Sequence, residues 1–172
     1  PDFEAPSDNG GNNIYDVQVT ATDNGIDPGR LAKGQNLAVT VPGVNDNAPV
    51  FTSSANLTQA ENVQSVVTLA ATDADDPAQT VSFAITGGAD AGLFQIVGGN
   101  QLQFIAGPDF EAPGDNGGNN VYDVQVTATD DGVNPGTLST VQNLAVTVTG
   151  VNDEAPVFTS ASAASIEENT QA

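Results

Sequence analysis

The chain has 172 residues, with 22 Asp and Glu against 2 Lys and Arg and neither His nor Cys, for a formal net charge of −20. Its two basic side chains, Arg30 and Lys33, cannot neutralise a phosphate backbone or hold an anionic membrane surface, and no apolar run approaches the roughly 18 residues of a spanning helix. Without His or Cys there is no imidazole acid–base pair, thiol nucleophile, zinc site or disulfide framework. Nucleic-acid binding and membrane insertion of this segment are therefore excluded.

The apolar residues are mainly Val, Ala, Leu, Ile and Phe, interleaved with Thr, Gln and Asn and punctuated by 18 Gly and 10 Pro. That mixture predicts short strands and turns, and no stretch has helical periodicity. In chain order, the first predicted strands lie around Ile14–Thr22 and Asn36–Val41. They form a hairpin that leaves Tyr15, Val17, Val19, Leu37, Val39 and Val41 without cover. A further strand is expected at Val50–Phe51 or at Thr58–Val63. Alternation then places Val67, Leu69 and Ala71 on one face, as it does Val81, Phe83 and Ile85. Phe94 and Ile96, Leu102 and Phe104, Tyr122 to Ala128, and Leu144 to Val148 follow. The intervening Ser82, Gln103, Asp123, Gln125, Thr127 and Thr147 are polar, the signature of strands with one buried face. About seven such strands predict an all-β, Greek-key sandwich of the immunoglobulin-like class.

The chain is also internally repetitive. PDFEAPSDNGGNNIYDVQVTATDNG at the start returns as PDFEAPGDNGGNNVYDVQVTATDDG from Pro108, and GVNDNAPVFTS from Gly43 returns as GVNDEAPVFTS from Gly150. The offset is 107 residues throughout, and residues 1–65 match 108–172 at about 45 positions. A unit of that length is a common domain size. The expected organisation is the C-terminal part of a preceding repeat in 1–47, a complete repeat in 48–154, and the start of the next in 155–172. With no leader sequence at its start, the chain reads as the interior of something longer.

Acidic motifs recur at the strand ends: Ala60-Glu61-Asn62, Asp73-Ala74-Asp75-Asp76, Asp109-Phe110-Glu111, Asp130, and Asn152-Asp153-Glu154. An i, i+2 carboxylate pair can aim at one centre where the backbone is irregular, as the neighbouring prolines allow. Taken singly, each motif reads first as turn and solvated-loop acids. Jointly, in a chain poor in other charges, they ask for a cation. Calcium is the leading candidate, being a hard ion that takes about 6–8 oxygen ligands and needs no His or Cys.

These motifs resemble those of cadherin repeats, in particular the bacterial cadherin-like tandem repeats of large surface adhesins. Ala60-Glu61-Asn62 is similar to the family's xEN motif, Pro108-Asp109-Phe110-Glu111 to its LDRE, Thr72-Asp73-Ala74-Asp75 to its DxD, and Val126–Asp130 to its xAxD strand end. Asn45-Asp46-Asn47-Ala48-Pro49-Val50-Phe51 is close to the NDNAPxF linker, the most specific of the five. The resemblance implies calcium between successive repeats. At the first junction its ligands would be Asp2, Glu4, Asn45, Asp46, Asn47, Asp73, Asp75 and Asp130. At the second they would be Glu61, Asp109, Glu111, Asn152, Asp153 and Glu154, while Asp23 and Glu168 would serve junctions not fully present. Three departures from the animal pattern stand out. Gly43 and Gly150 occupy the position where the linker usually starts with Asp, Glu154 replaces the second Asn, and the loop Ala112–Asn120 is longer. The strand-swapping Trp of the animal family is absent too.

Two unit charges about 5 Å apart at an effective dielectric near 20 repel by roughly 3 kcal/mol, so such a junction swings open without metal and stiffens with it. The implied role is a calcium-rigidified structural and adhesive repeat, outside the cell or at its surface. Its partners are neighbouring repeats of the same or identical chains, with a cell-surface protein or polysaccharide as ligand. Two other readings remain open: a carbohydrate-binding repeat using the Gly/Asn-rich loops at 5–13 and 112–120, and an ion-independent spacer. Asp109 and Glu111 could imitate a glycosidase pair, but a motif repeated every 107 residues with no Trp to line a sugar cleft reads as non-enzymatic.

Overall fold

The computed structural model describes residues 1–26, 29–163, 165, 166 and 168. Alternating Val, Leu, Phe and Tyr build two sheets that face each other. The first consists of β4 (Asn56–Ala60), β7 (Ser82–Gly87), β10 (Val121–Thr129) and β11 (Ser139–Thr149), ordered β4-β11-β10-β7. β4 runs parallel to β11 and the other pairings are antiparallel. The second sheet consists of β5 (Ser65–Thr68), β8 (Phe94–Val97) and β9 (Gln101–Phe104), ordered β5-β9-β8. A small ladder joins β3 (Val50–Phe51) to β6 (Ala71–Thr72). The chain crosses between the sheets from β4 to β5, from β7 to β8 and from β9 to β10, which makes the unit an all-β sandwich of the immunoglobulin-like class. Both predicted positions for the first strand are used, one as β3 and the other, shifted toward the N-terminus, as β4. The one helical element among the described residues is the 3₁₀ turn Ala91–Leu93.

The core lies between the sheets. Leu69, Phe94, Leu102, Phe104, Tyr122, Val124, Val126, Leu144, Val146 and Val148 are buried together, the parities that alternation selects. Phe104 stacks on Phe94 at 4.4 Å between ring centroids and meets Tyr122 edge-on at 5.1 Å, the offset and T-shaped arrangements that ring quadrupoles favour.

Ahead of the sandwich stands an antiparallel hairpin of β1 (Ile14–Thr22) and β2 (Ala32–Thr40). The second strand begins four residues earlier than Asn36, because Thr22 pairs with Ala32 and the ladder runs unbroken from there to the Ile14–Thr40 pair. Val17, Val19, Leu37 and Val39 are exposed. In the described part of 155–172 no strand forms, and Phe158, the counterpart of the half-buried Phe51, is 93% exposed. The rest of that segment, residues 164, 167 and 169–172, lies outside the described residues.

Candidate metal centre

The strands carry almost none of the negative charge. Among the described residues, Asp16 and Asp123 are the acids placed within strands. The remainder sit in loops and strand ends, and two groups of them converge. In the first, Glu4, Asp46 and Asp75 bring carboxylate oxygens within 4.8 Å of one another; in the second, Glu61, Asp109 and Glu111 do the same.

The first group draws on three separated segments. Glu4 precedes β1, Asp46 lies in the linker between β2 and β3, and Asp75 follows β6. Glu4 Oε1 accepts from the Asp76 amide at 3.3 Å, tying the first loop to the loop after β6. Asp75 is buried, and its carboxylate accepts from the Asn47 amide and side chain and from Gln79 Nε2. Burial pushes its pKa up, but the hydrogen bonds from Asn47 and Asp46 outweigh that and leave it lowered overall. Asp73 Oδ1 accepts from the Asp75 amide, while its Oδ2 is buried without a hydrogen-bond partner. Asn45 is buried and donates to Asp130 Oδ1 at 3.1 Å and to the Gly136 carbonyl. Asp130 also accepts from the Gly132 and Leu138 amides. Asp2 Oδ1 accepts from the Glu4 and Ala5 amides and so shapes the loop that presents Glu4, as Asp109 Oδ1 does through the Ala112 amide in the second copy.

In the second group Glu61 is buried, accepting from the Phe110 amide at 2.9 Å and from the Val151 amide at 2.6 Å. Those two bonds hold its carboxyl below the ordinary range. Glu111 is held above its ordinary value, first by desolvation and then by the charges of Glu61 and Asp153. Asp153 accepts from Asn62 Nδ2 at 2.7 Å, and Asp109 accepts from the Ala112 amide. Asn152, Glu154 and Glu168 are exposed, and neither Glu154 nor Glu168 belongs to the converging group. Asp23 folds back on its own loop, accepting from the Gly25 and Leu31 amides.

Several contributors carry no motif. Gln79 bridges Asn45 and Asp75, and only the folded loop after β6 brings it there. The two linker glycines are explained by packing. A Cβ on Gly43 would sit 2.6 Å from the Asp76 carbonyl and 3.2 Å from the Phe3 ring, and one on Gly150 would sit 2.9 Å from the Phe110 ring. The aromatic of each Asp-Phe-Glu loop thus takes the space that an aspartate at the start of the linker would need.

The donor sets fit a hard divalent cation. Every converging atom is a carboxylate oxygen, Asp73 Oδ2 is a buried acceptor lacking a donor, and the only two basic side chains of the sequence, Arg30 and Lys33, lie at the start of β2. Ions of the calcium type take such oxygens readily.

No protein-family profile matches the chain. Among curated proteins it is 36% identical to cadherin-23 of Rattus norvegicus over 152 residues, 84% of this chain and 4% of that protein. It is 32% identical to protocadherin Fat 4 of Mus musculus over 151 residues, 85% of this chain and 3% of that protein. Among solved structures, mouse cadherin-23 EC22-24 superposes with a TM-score of 0.61 at 21% identity, covering 89% of this chain and 46% of that one. The protocadherin gammaB7 EC3-6 cis-dimer gives 0.57 at 27% identity, covering 81% and 34%. The fold and these relatives define a cadherin-like domain. The relatives are cadherins rather than enzymes, and this chain spans a few per cent of the length of the curated ones it matches. No helix among the described residues is long and apolar enough to cross a membrane.

Proposed function

We propose that this chain is a calcium-rigidified adhesive repeat of an extracellular tandem array, in the setting of a large bacterial surface adhesin. Residues 48–154 form the complete repeat, 1–47 end the preceding one and 155–172 begin the next. The observation that carries the reading is the convergence of Glu4, Asp46 and Asp75 from three separate segments, the first loop, the linker and the loop after β6. Calcium there would neutralise carboxylates that otherwise repel and would fix the orientation of the two units. Glu4, Asp46, Asp73, Asp75 and Asp130 would hold it, with Asn45 and Asn47 supplying amide and carbonyl oxygens. Asp2 organises the Glu4 loop. At the second junction Glu61, Asp109, Glu111 and Asp153 would do the same, and Asn152, Glu154, Asp23 and Glu168 would join once neighbouring repeats are in place. The partners are adjacent repeats of the same or identical chains, with adhesion to a cell-surface protein or polysaccharide.

Titration calorimetry tests this directly. The wild-type chain should bind calcium, and the double variant Asp73→Ala with Asp75→Ala should lose most of that binding. Equal binding by the two would overturn the assignment. Solution scattering of several repeats joined in tandem should show an extended rod in calcium and a more flexible chain in chelator.

A further inference from the structure

The chain contains three Asn-Gly pairs, and each follows an aspartate: Asp8-Asn9-Gly10, Asp23-Asn24-Gly25 and Asp115-Asn116-Gly117. A fourth position, Asp130-Asp131-Gly132, has Asp in place of the Asn. Asn is among the chemically labile residues, and most so before Gly, which has no side chain to hinder attack by its own backbone nitrogen. In that reaction the Gly nitrogen bonds to the Asn Cγ and its proton leaves with the side-chain amide as ammonia. Water then opens the five-membered imide to aspartate or isoaspartate. At Asp131-Gly132 the same attack would expel water instead, and the imide would reopen to aspartate or isoaspartate. Either reaction needs a Gly N–H that is free to turn toward Cγ and to give up its proton.

None of the four is free. Gly10 N–H donates to Asp8 Oδ2, Gly25 N–H to Asp23 Oδ1, Gly117 N–H to Asp115 Oδ2 and Gly132 N–H to Asp130 Oδ1, each at 3.0 Å. The same carboxylates take further amides and so fix the loops: Asp8 from Asn12 and Asn13, Asp115 from Asn119 and Asn120, Asp23 from Leu31, and Asp130 from Leu138. Two effects then oppose the attack. The nitrogen is aimed at the carboxylate rather than at Cγ, and a developing amide anion would form beside a negative charge. The asparagines themselves are exposed, so burial does not shield them.

We propose that the aspartate two residues before each glycine protects Asn9, Asn24 and Asn116 from deamidation, and Asp131 from isomerisation. Asp8 and Asp115 lie outside the proposed metal ligands, so at Asn9 and Asn116 the device is independent of calcium binding, whereas Asp23 and Asp130 are also proposed ligands. Its use is chemical: each deamidation would add a negative charge to a chain already at −20 and, as isoaspartate, would insert an extra backbone atom into a fixed loop. Asn116 should be the slowest to react, because its Asp115 is buried, whereas Asp8 is only half-buried.

The test incubates the full chain at neutral pH and measures aspartate plus isoaspartate at positions 9 and 116 by peptide-mapping mass spectrometry, in buffer and in denaturing urea. Losing a hydrogen bond to a charged acceptor corresponds to about tenfold in rate, so both sites should react at least about tenfold faster in urea. Equal rates in the two solvents would overturn the proposal. The variant Asp8→Ala, in a loop away from the main core, should accelerate Asn9 by about tenfold while leaving Asn116 unchanged. Asp8→Asn, which keeps an acceptor oxygen without the charge, should fall between. An Asn9 rate that is unchanged or slower in Asp8→Ala would also overturn it.

Discussion

The hairpin β1–β2 and the pair β10–β11 are nearly the same peptide in two surroundings. The first strands read IYDVQVTAT and VYDVQVTAT, and both pairs adopt the same register, Ile14 opposite Thr40 and Val121 opposite Thr147. Even the side-chain bridge recurs, Gln18 to Asn36 and Gln125 to Asn143. Burial does not recur. Val17 is 45% exposed and Val124 is 1%; Leu37 is 41% exposed and Leu144 is 2%. Local sequence therefore determines pairing and turn, and the strands flanking and facing the pair decide whether its apolar face becomes a core. A lone two-stranded hairpin is marginal in water for this reason.

The largest contrast should come from truncating one equivalent side chain in each setting. Leu144→Ala removes a buried side chain between the sheets and should cost about 2–5 kcal/mol, while Leu37→Ala should change stability by less than about 0.5 kcal/mol. Denaturant melts of the two variants measure this, and similar losses would mean that the hairpin is already packed. Calcium at a hundredfold excess over its dissociation constant should add about 2.7 kcal/mol, read as a melting shift that chelator reverses and that Asp73→Ala with Asp75→Ala abolishes. Placing a copy of residues 48–107 ahead of Pro1 restores the strands that the hairpin lacks. Amides of β1 should then exchange about as slowly as those of β10, whereas in the present chain they should exchange far faster. Unchanged exchange after the graft would show that the hairpin is not half of the same sandwich.

The smallest expected effect is on pH dependence, and it separates the two copies of one loop. Asp115 sits below its ordinary value of 3.8, chiefly through the Asn119 amide against an opposing desolvation, with the Asn120 and Gly117 amides adding to the lowering. Asp8 is lowered in the same way by Asn12, Asn13 and Gly10. A depressed folded pKa contributes stability that is present above the unfolded value and is lost as pH falls through the lower folded one. Glu111, which is raised, has the opposite sign: its contribution is lost as pH rises through its folded pKa. Acid melts should therefore lose part of their steepness in Asp115→Asn and much less in Asp8→Asn, because the Asp8 loop caps a hairpin with no core to transmit the loss.

Much of this was legible in the chain itself. Period-two alternation identified Leu102, Phe104, Tyr122, Val124, Val126, Leu144, Val146 and Val148, since a strand can hide only one face. The acid-rich strand ends contain every member of the two carboxylate groups, although only Glu4 and Glu111 among them are counterparts across the 107-residue offset. What the chain alone could not determine depends on atoms brought together from distant segments. Glu4 reaches across to accept from the Asp76 amide, a contact that exists only once the first loop meets the loop after β6. Gln79 joins Asn45 and Asp75 only once the linker crosses the loop after β6. Gly43 and Gly150 stand where the family pattern expects an acid, and only packing against Phe3 and Phe110 shows why. Nearly identical strands became core in one place and surface in the other, because burial belongs to the neighbours a strand acquires and not to the strand.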